Sequence, residues 1–358
     1  PTVNVFAEPN AAGQLAGFAA QIAQSYQEIS DQLGGPAGNT IDVFLLPDDE
    51  SFRSSISIAE PDIQNQWITA GALKLIYSDQ ISSSYILEDS IVKLYLADVG
   101  IDKDVVPWLW DGLPQIFMEQ EQAIAVQKRF IPTLHSDIEA ELDADTLASD
   151  WAAAHYLLDK IGWAGVGKFI SEFGELCKSG RCGDQIAIND IYIANLGVDQ
   201  QRFETDWRDY WNNRLTTAQN ELDALAIKRS FAVAENDISS FMQTVDSNLP
   251  YLQAEQAHWF GDASQNDPVE YKYRPIAFLP DGDILTKVFI VPDEVNDSAV
   301  NNQTSAAEIQ FTRGDNGYTW AGPNFSKTSG EWLEIYTHHT ATDWAAEILP
   351  EAERYYLR

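Results

Sequence analysis

Basic residues are scarce in this chain. Its 358 residues include only 22 Lys and Arg against 55 Asp and Glu, a formal net charge of −33. So few cations cannot assemble a broad positive face, which excludes mechanisms that grip nucleic acid or an anionic membrane. Histidine is also sparse: the five residues, at 135, 155, 258, 338 and 339, form no His-x-x-x-His pair. His338 and His339 are adjacent on an expected strand, where neighbours point to opposite faces, and they read as surface residues. No run of about 18 apolar residues occurs, so nothing here reads as a bilayer-spanning helix. A Gly-x-Ser-x-Gly elbow, a phosphate loop and a dinucleotide fingerprint are all missing.

What is plentiful is aromatic and aliphatic. Hydrophobic residues make up 45% of the chain, with 11 Trp, 14 Tyr and 16 Phe, which excludes a disordered acidic tail and predicts packed cores under an acidic surface. The length exceeds one ordinary domain. The two cysteines stand as Cys177-Lys-Ser-Gly-Arg-Cys182. We read them as a local disulfide rather than a reduced pair or metal ligands, since no other Cys and no nearby His completes a ligand set. That reading favours an oxidising, extracytoplasmic setting. The displayed start at Pro1, without a basic and apolar leader, reads as a processed boundary, with any signal or anchor removed or outside the displayed chain.

Periodicity divides the chain. Val3 to Phe6 alternates and leads into a helix over Ala11 to Gln32; Ile41 to Leu46 and Leu73 to Tyr77 read as further strands. Helices follow at Tyr85 to Ala97, Pro107 to Gln127, Leu147 to Lys160, Gly165 to Phe173 and Gln200 to Leu215. Gly165-Val-Gly167 reads as a turn. After helices at Ala224 to Glu235 and Asp237 to Val245 the text becomes strand-rich, with Val269 to Phe278, Ile284 to Val291, Ala307 to Thr312 and Gly317 to Trp320 joined as hairpins. The fold class expected is α+β. A small N-terminal sheet with a helical subdomain spans 1–222, a second α+β domain with an antiparallel sheet spans 223–332, and a strand-helix tail spans 333–358. The tail echoes the opening strand and helix, as the start of a further repeat would.

Ser84-Tyr-Ile-Leu-Glu-Asp-Ser-Ile-Val-Lys-Leu94, followed by Pro107-Trp-Leu-Trp-Asp-Gly-Leu-Pro-Gln-Ile-Phe117, resembles the core of gluzincin zinc metallopeptidases of the peptidase-MA-like group. In that family one helix carries His-Glu-x-x-His, and the next opens on a Pro-x-Trp-Leu-x-Glu-Gly-Leu phrase that supplies the third zinc ligand. Two His one turn apart bind the metal, and the Glu beside the first activates the metal-bound water. The resemblance places Glu88 at the general-base position, Leu87 and Ile91 where the two His stand, and Asp111 at the third ligand. Nineteen residues separate Ile91 from Asp111. Trp151 to Gly162 and Phe203 to Tyr210 resemble later phrases of the same domain, so the likeness spans roughly 1–215.

The departures decide what the resemblance implies. Leucine and isoleucine cannot coordinate zinc, so the implication is a peptidase frame without metal, cofactor or catalytic residues, on which Leu87, Glu88, Ile91 and Asp111 are vestigial positions. Glu88 with Asp111 as an acid-base pair of an atypical hydrolase is the alternative. Glu88, Asp89 and Asp111 as an oxygen-ligand cation site is another. Residues 225–332 resemble, by element order, the cone folds of the nuclear-transport-factor and SnoaL-like group. There Tyr271, Tyr273, Trp320 and Phe325 either line a pocket or form core. The function expected is a non-catalytic, extracellular or cell-surface binding or structural protein. Its expected partners are another protein, copies of itself in a surface assembly or filament, or cations on its acidic surface.

Overall fold

The computed structural model describes residues 1–7, 15–35, 39–46, 50–51, 66–76, 84–117, 120–135, 146–264, 269–279, 282–292, 307–315, 317–323, 325–330, 333–338 and 342–356. The chain divides into two units, Pro1–Asn212 and Asn213–Arg358. The first is a mixed sheet with a helical core, and the second is built on an antiparallel sheet, an α+β architecture throughout.

In the first unit, β1 (Thr2–Ala7) pairs in parallel with β2 (Thr40–Leu46), which pairs in parallel with β4 (Ala72–Ile76). β3 (Gln66–Thr69) closes the edge as an antiparallel hairpin with β4, giving the order β1-β2-β4-β3. A parallel pair needs a crossover, and α1 (Leu15–Leu33) supplies it. Its Ile22, Tyr26, Ile29 and Leu33 recur at helical spacing and are buried. On β2, Ile41, Val43 and Leu45 are buried by period-two alternation, while Phe6 stacks on Phe44 across the β1–β2 pair at 4.9 Å.

The helical core comprises α2 (Ser84–Val99), α3 (Pro107–Ile116), α4 (Gln120–His135), α5 (Thr146–Lys178), α6 (Gln185–Leu196) and the first part of α7 (Gln200–Ala234). Asp98, near the end of α2, ties that helix to the sheet. Its carboxylate accepts from the Tyr26 hydroxyl at 2.6 Å, the Asn39 amide at 3.4 Å and the Gly71 backbone N–H at 2.5 Å. Trp151, Trp211 and Phe130 pack as one aromatic cluster, and Trp108, Phe169, Tyr192 and Phe203 as another.

Three expectations need correction here. Pro107 to Gln127 is two helices: the first ends at Ile116, two residues beyond an internal Pro114 that has no N–H for the Trp110 carbonyl. Gly165 and Gly167 lie inside α5; the break in that helix is at Gly162, whose φ is 66°. Gly167 is small for packing: a Cβ there would collide with the Leu33 carbonyl oxygen at the end of α1. Gln200 to Leu215 and Ala224 to Glu235 are parts of the single helix α7, inside which the two units divide.

In the second unit, β5 (Val269–Phe278), β6 (Ile284–Pro292), β7 (Ala307–Gly314) and β8 (Gly317–Gly322) form an antiparallel meander. α8 (Ile238–Met242) and α9 (Pro250–Ala263) follow α7 in sequence; Val245 beyond α8 bridges to Trp320, and the Gln219 side chain of α7 donates to the Tyr273 carbonyl at 2.8 Å. Tyr271, Tyr273 and Trp320 are buried. The tail belongs to this unit: β9 (Phe325–Ser329) and β10 (Glu334–His338) form a two-stranded antiparallel sheet against which α10 (Thr342–Tyr356) packs. The opening strand instead pairs in parallel with β2, so the two ends share element order but not pairing. His339 lies outside the described residues.

Candidate functional site

The phrase Leu87-Glu-Asp-Ser-Ile91 occupies the first half of α2, and the acidic-Gly-Leu phrase the middle of α3. Leu87 and Ile91, one turn apart, are both buried in the core, at 2% and 0% exposure. Glu88, beside Leu87, is partly buried. Asp111 reaches α2.

Its partner is Lys93. The Lys93 ammonium lies 3.0 Å from Asp111 Oδ1 and 3.2 Å from Asp89 Oδ1, bridging a buried acid of its own helix to a half-exposed acid of the next. Burial works against the Lys93 charge, yet Asp89 and Asp111, by charge and by hydrogen bonding, more than offset it and hold its pKa above the ordinary lysine value. The cation bound between these carboxylates is therefore the protein's own. Asp89 and Lys93 stand four apart, a spacing readable in the sequence as an ion pair within one helix. That Asp111 would join them needed the α2–α3 packing.

Gly112 sets the packing of α3 on α5. A Cβ at this position would fall well inside 3.0 Å of the Asp150 carbonyl oxygen, so α3 and α5 meet backbone to backbone and only glycine fits between them. The same approach brings Asp150 toward Asp111. Burial, then the charges of Asp111 and Glu204, push the Asp150 carboxyl up to about 7. Nothing in the local sequence marks Asp150, because its shift comes from residues distant in the chain.

The sign of the consequence is fixed. Folding favours the protonated form of Asp150, so its contribution is most favourable below the ordinary aspartate value near 4. It is lost as pH rises toward 7 and is constant above that. Asp150→Asn, neutral at every pH, raises the melting temperature at pH 8 and leaves it unchanged at pH 4, as thermal unfolding across that range will show.

The residues present do not fit the zinc of a gluzincin. Two ligand positions are apolar core, and the third is engaged by a lysine. Among the described residues, no group of three or more His, Cys, Asp or Glu is placed to hold a metal ion. His155 lies elsewhere, against the rings of both Trp151 and Trp211 and 3.5 Å from Asp159. The cysteines form the disulfide Cys177–Cys182, which closes the turn between α5 and α6. Among the described residues no helix is long and apolar enough to cross a membrane. Comparison with family models, curated proteins and solved structures finds no match to this chain.

Proposed function

We propose that this chain is a non-catalytic binding or structural protein, built on a metallopeptidase-like frame that has exchanged metal ligation for an internal ion pair. The observation that carries the reading is Lys93, whose ammonium sits between Asp89 and Asp111 where the frame would use Asp111 on a metal. Leu87 and Ile91 add apolar packing where ligands would line a cleft. An extracellular or cell-surface setting is supported by the disulfide. The acidic surface suits a basic protein partner. Ile227 and Phe231, one turn apart on α7 and 70% and 66% exposed, supply an apolar contact for a partner or for further copies of the chain.

A second reading, an atypical hydrolase, has one observation in its favour. Asp150, pushed up to about 7 by burial and by the charge of Asp111, has a carboxyl raised into the range that general acids use. A broad peptide-substrate screen of the wild type beside Glu88→Gln separates the two. The scaffold reading predicts no turnover above buffer by either protein; turnover abolished in Glu88→Gln establishes the hydrolase.

A further inference from the structure

Arg229 of α7 is a charged side chain only 1% exposed, in a protein whose other cations are mostly at the surface. It faces the side of the β5–β8 sheet that carries Tyr271, Tyr273 and Trp320. Tyr271 and Tyr273 are two apart on β5 and so share a face; the Tyr273 ring packs on Phe311 at 5.0 Å and Trp320 at 6.2 Å. The guanidinium lies 4.2 Å from the centre of the Phe241 ring, 4.6 Å from Trp320 and 5.4 Å from Tyr271.

Its hydrogen bonds are incomplete. Nη1 donates to Thr244 Oγ1 at 2.9 Å and Nη2 to Gln256 Oε1 at 2.7 Å, both neutral acceptors. Nε has no well-formed hydrogen bond, although the Tyr271 hydroxyl interacts with the Arg229 side chain, and among the described residues no carboxylate pairs with the group. A guanidinium keeps its charge when buried, and ring faces offset only part of the cost of removing it from water.

Around it the surplus is of donors. Arg229 Nε, the Tyr273 hydroxyl and Trp320 Nε1 are buried without a well-formed hydrogen bond, and the Tyr271 hydroxyl, also buried, interacts with the Arg229 side chain. The guanidinium and indole N–H groups cannot accept. Burial keeps both hydroxyls protonated, raising Tyr273 and holding Tyr271 at about 12 despite the charge and hydrogen bonding of Arg229, so each has a proton to donate even where its oxygen accepts. A water accepts about two of these donors and brings two more of its own. An anion accepts several and balances the charge as well.

We infer that Arg229, Tyr271, Tyr273 and Trp320 form an internal binding site for one small monovalent anion, a halide or the carboxylate of a small ligand. The site lies in the second unit and is independent of the scaffold reading.

The test is thermal unfolding of the full chain in sodium bromide and in sodium acetate, each titrated against sodium gluconate at constant ionic strength. A saturable rise in melting temperature is expected in one of the two, bromide identifying a halide site and acetate a carboxylate site. Tyr273→Phe weakens that response about tenfold, the value of one hydrogen bond to a charged group. Its effect on stability also changes sign. In gluconate the variant is the more stable, because an unpartnered buried hydroxyl is gone; at saturating anion it is the less stable. Arg229→Met abolishes the response, and if that variant does not fold, Tyr273→Phe carries the test. A melting temperature indifferent to both anions, or a Tyr273→Phe effect of the same sign in every buffer, overturns the inference.

Discussion

Replacing Lys93 with methionine lowers the unfolding free energy by about 3 kcal/mol at neutral pH, the low end for breaking a buried ion pair. Methionine keeps the length and apolar stem of the side chain, so the loss isolates the charge. Asp89, whose side chain is 9% exposed, then loses its ammonium partner in the core, while Asp111, at 42%, recovers solvation from water. That asymmetry places the effect at the low end and assigns most of it to Asp89. Adding Asp89→Asn to Lys93→Met removes the buried acid that faced the ammonium and recovers most of the loss, whereas Asp111→Asn recovers little. Urea unfolding of the set, read as shifts in midpoint at constant slope, measures each term. A loss below about 0.5 kcal/mol for Lys93→Met, the range of an exposed pair, would mean that the bridge does not organise this region.

Gly112→Ala is expected to cost a comparable amount for a different reason. The added methyl meets a backbone carbonyl oxygen, Asp150 O, which cannot rotate away as a side chain could, so α3 and α5 must separate. Overpacking of this kind costs typically 1–3 kcal/mol, and a backbone obstacle puts the expectation near 3 kcal/mol. Separation also moves Asp150 away from Asp111, so the pH dependence between 4 and 7 flattens in the variant. Gly17→Ala is the internal control. It lies in α1 of the same unit, is exposed, and has nothing within 4 Å of its added Cβ, so it stabilises by about 0.5–1 kcal/mol through helix propensity alone. Equal effects at the two glycines would contradict the close approach of α3 and α5.

The α+β class, the N-terminal strand-helix-strand and the antiparallel meander were legible because apolar period and turn residues agree along those stretches. The Cys177–Cys182 bridge was legible from spacing. α6 was missed, because its exposed Ile186 and Ile193 blur the apolar stripe; its start is nonetheless marked by Asp184, which caps the Ile186 and Ala187 amides, and its end by Gly197. β3 and β9 are short strands, recognisable only through the neighbours they pair with. At the candidate site, the sequence singled out Leu87, Glu88, Ile91 and Asp111, with Asp89 as a further acid beside them. It did not identify Lys93 as their cation or Asp150 as their neighbour, since both roles come from helices packed across long sequence separations. Arg229 was missed for the same reason: nothing in an Ala-rich helical stretch tells a buried arginine from the exposed ones.

Zinc content is the most direct test of the scaffold account. The chain, purified and equilibrated with micromolar zinc before exhaustive dialysis, is analysed for metal per polypeptide. A frame whose two histidine positions are leucine and isoleucine, and whose remaining carboxylate is held by Lys93, retains zinc far below one equivalent. One equivalent of retained zinc, with peptide turnover abolished in Glu88→Gln, would contradict it.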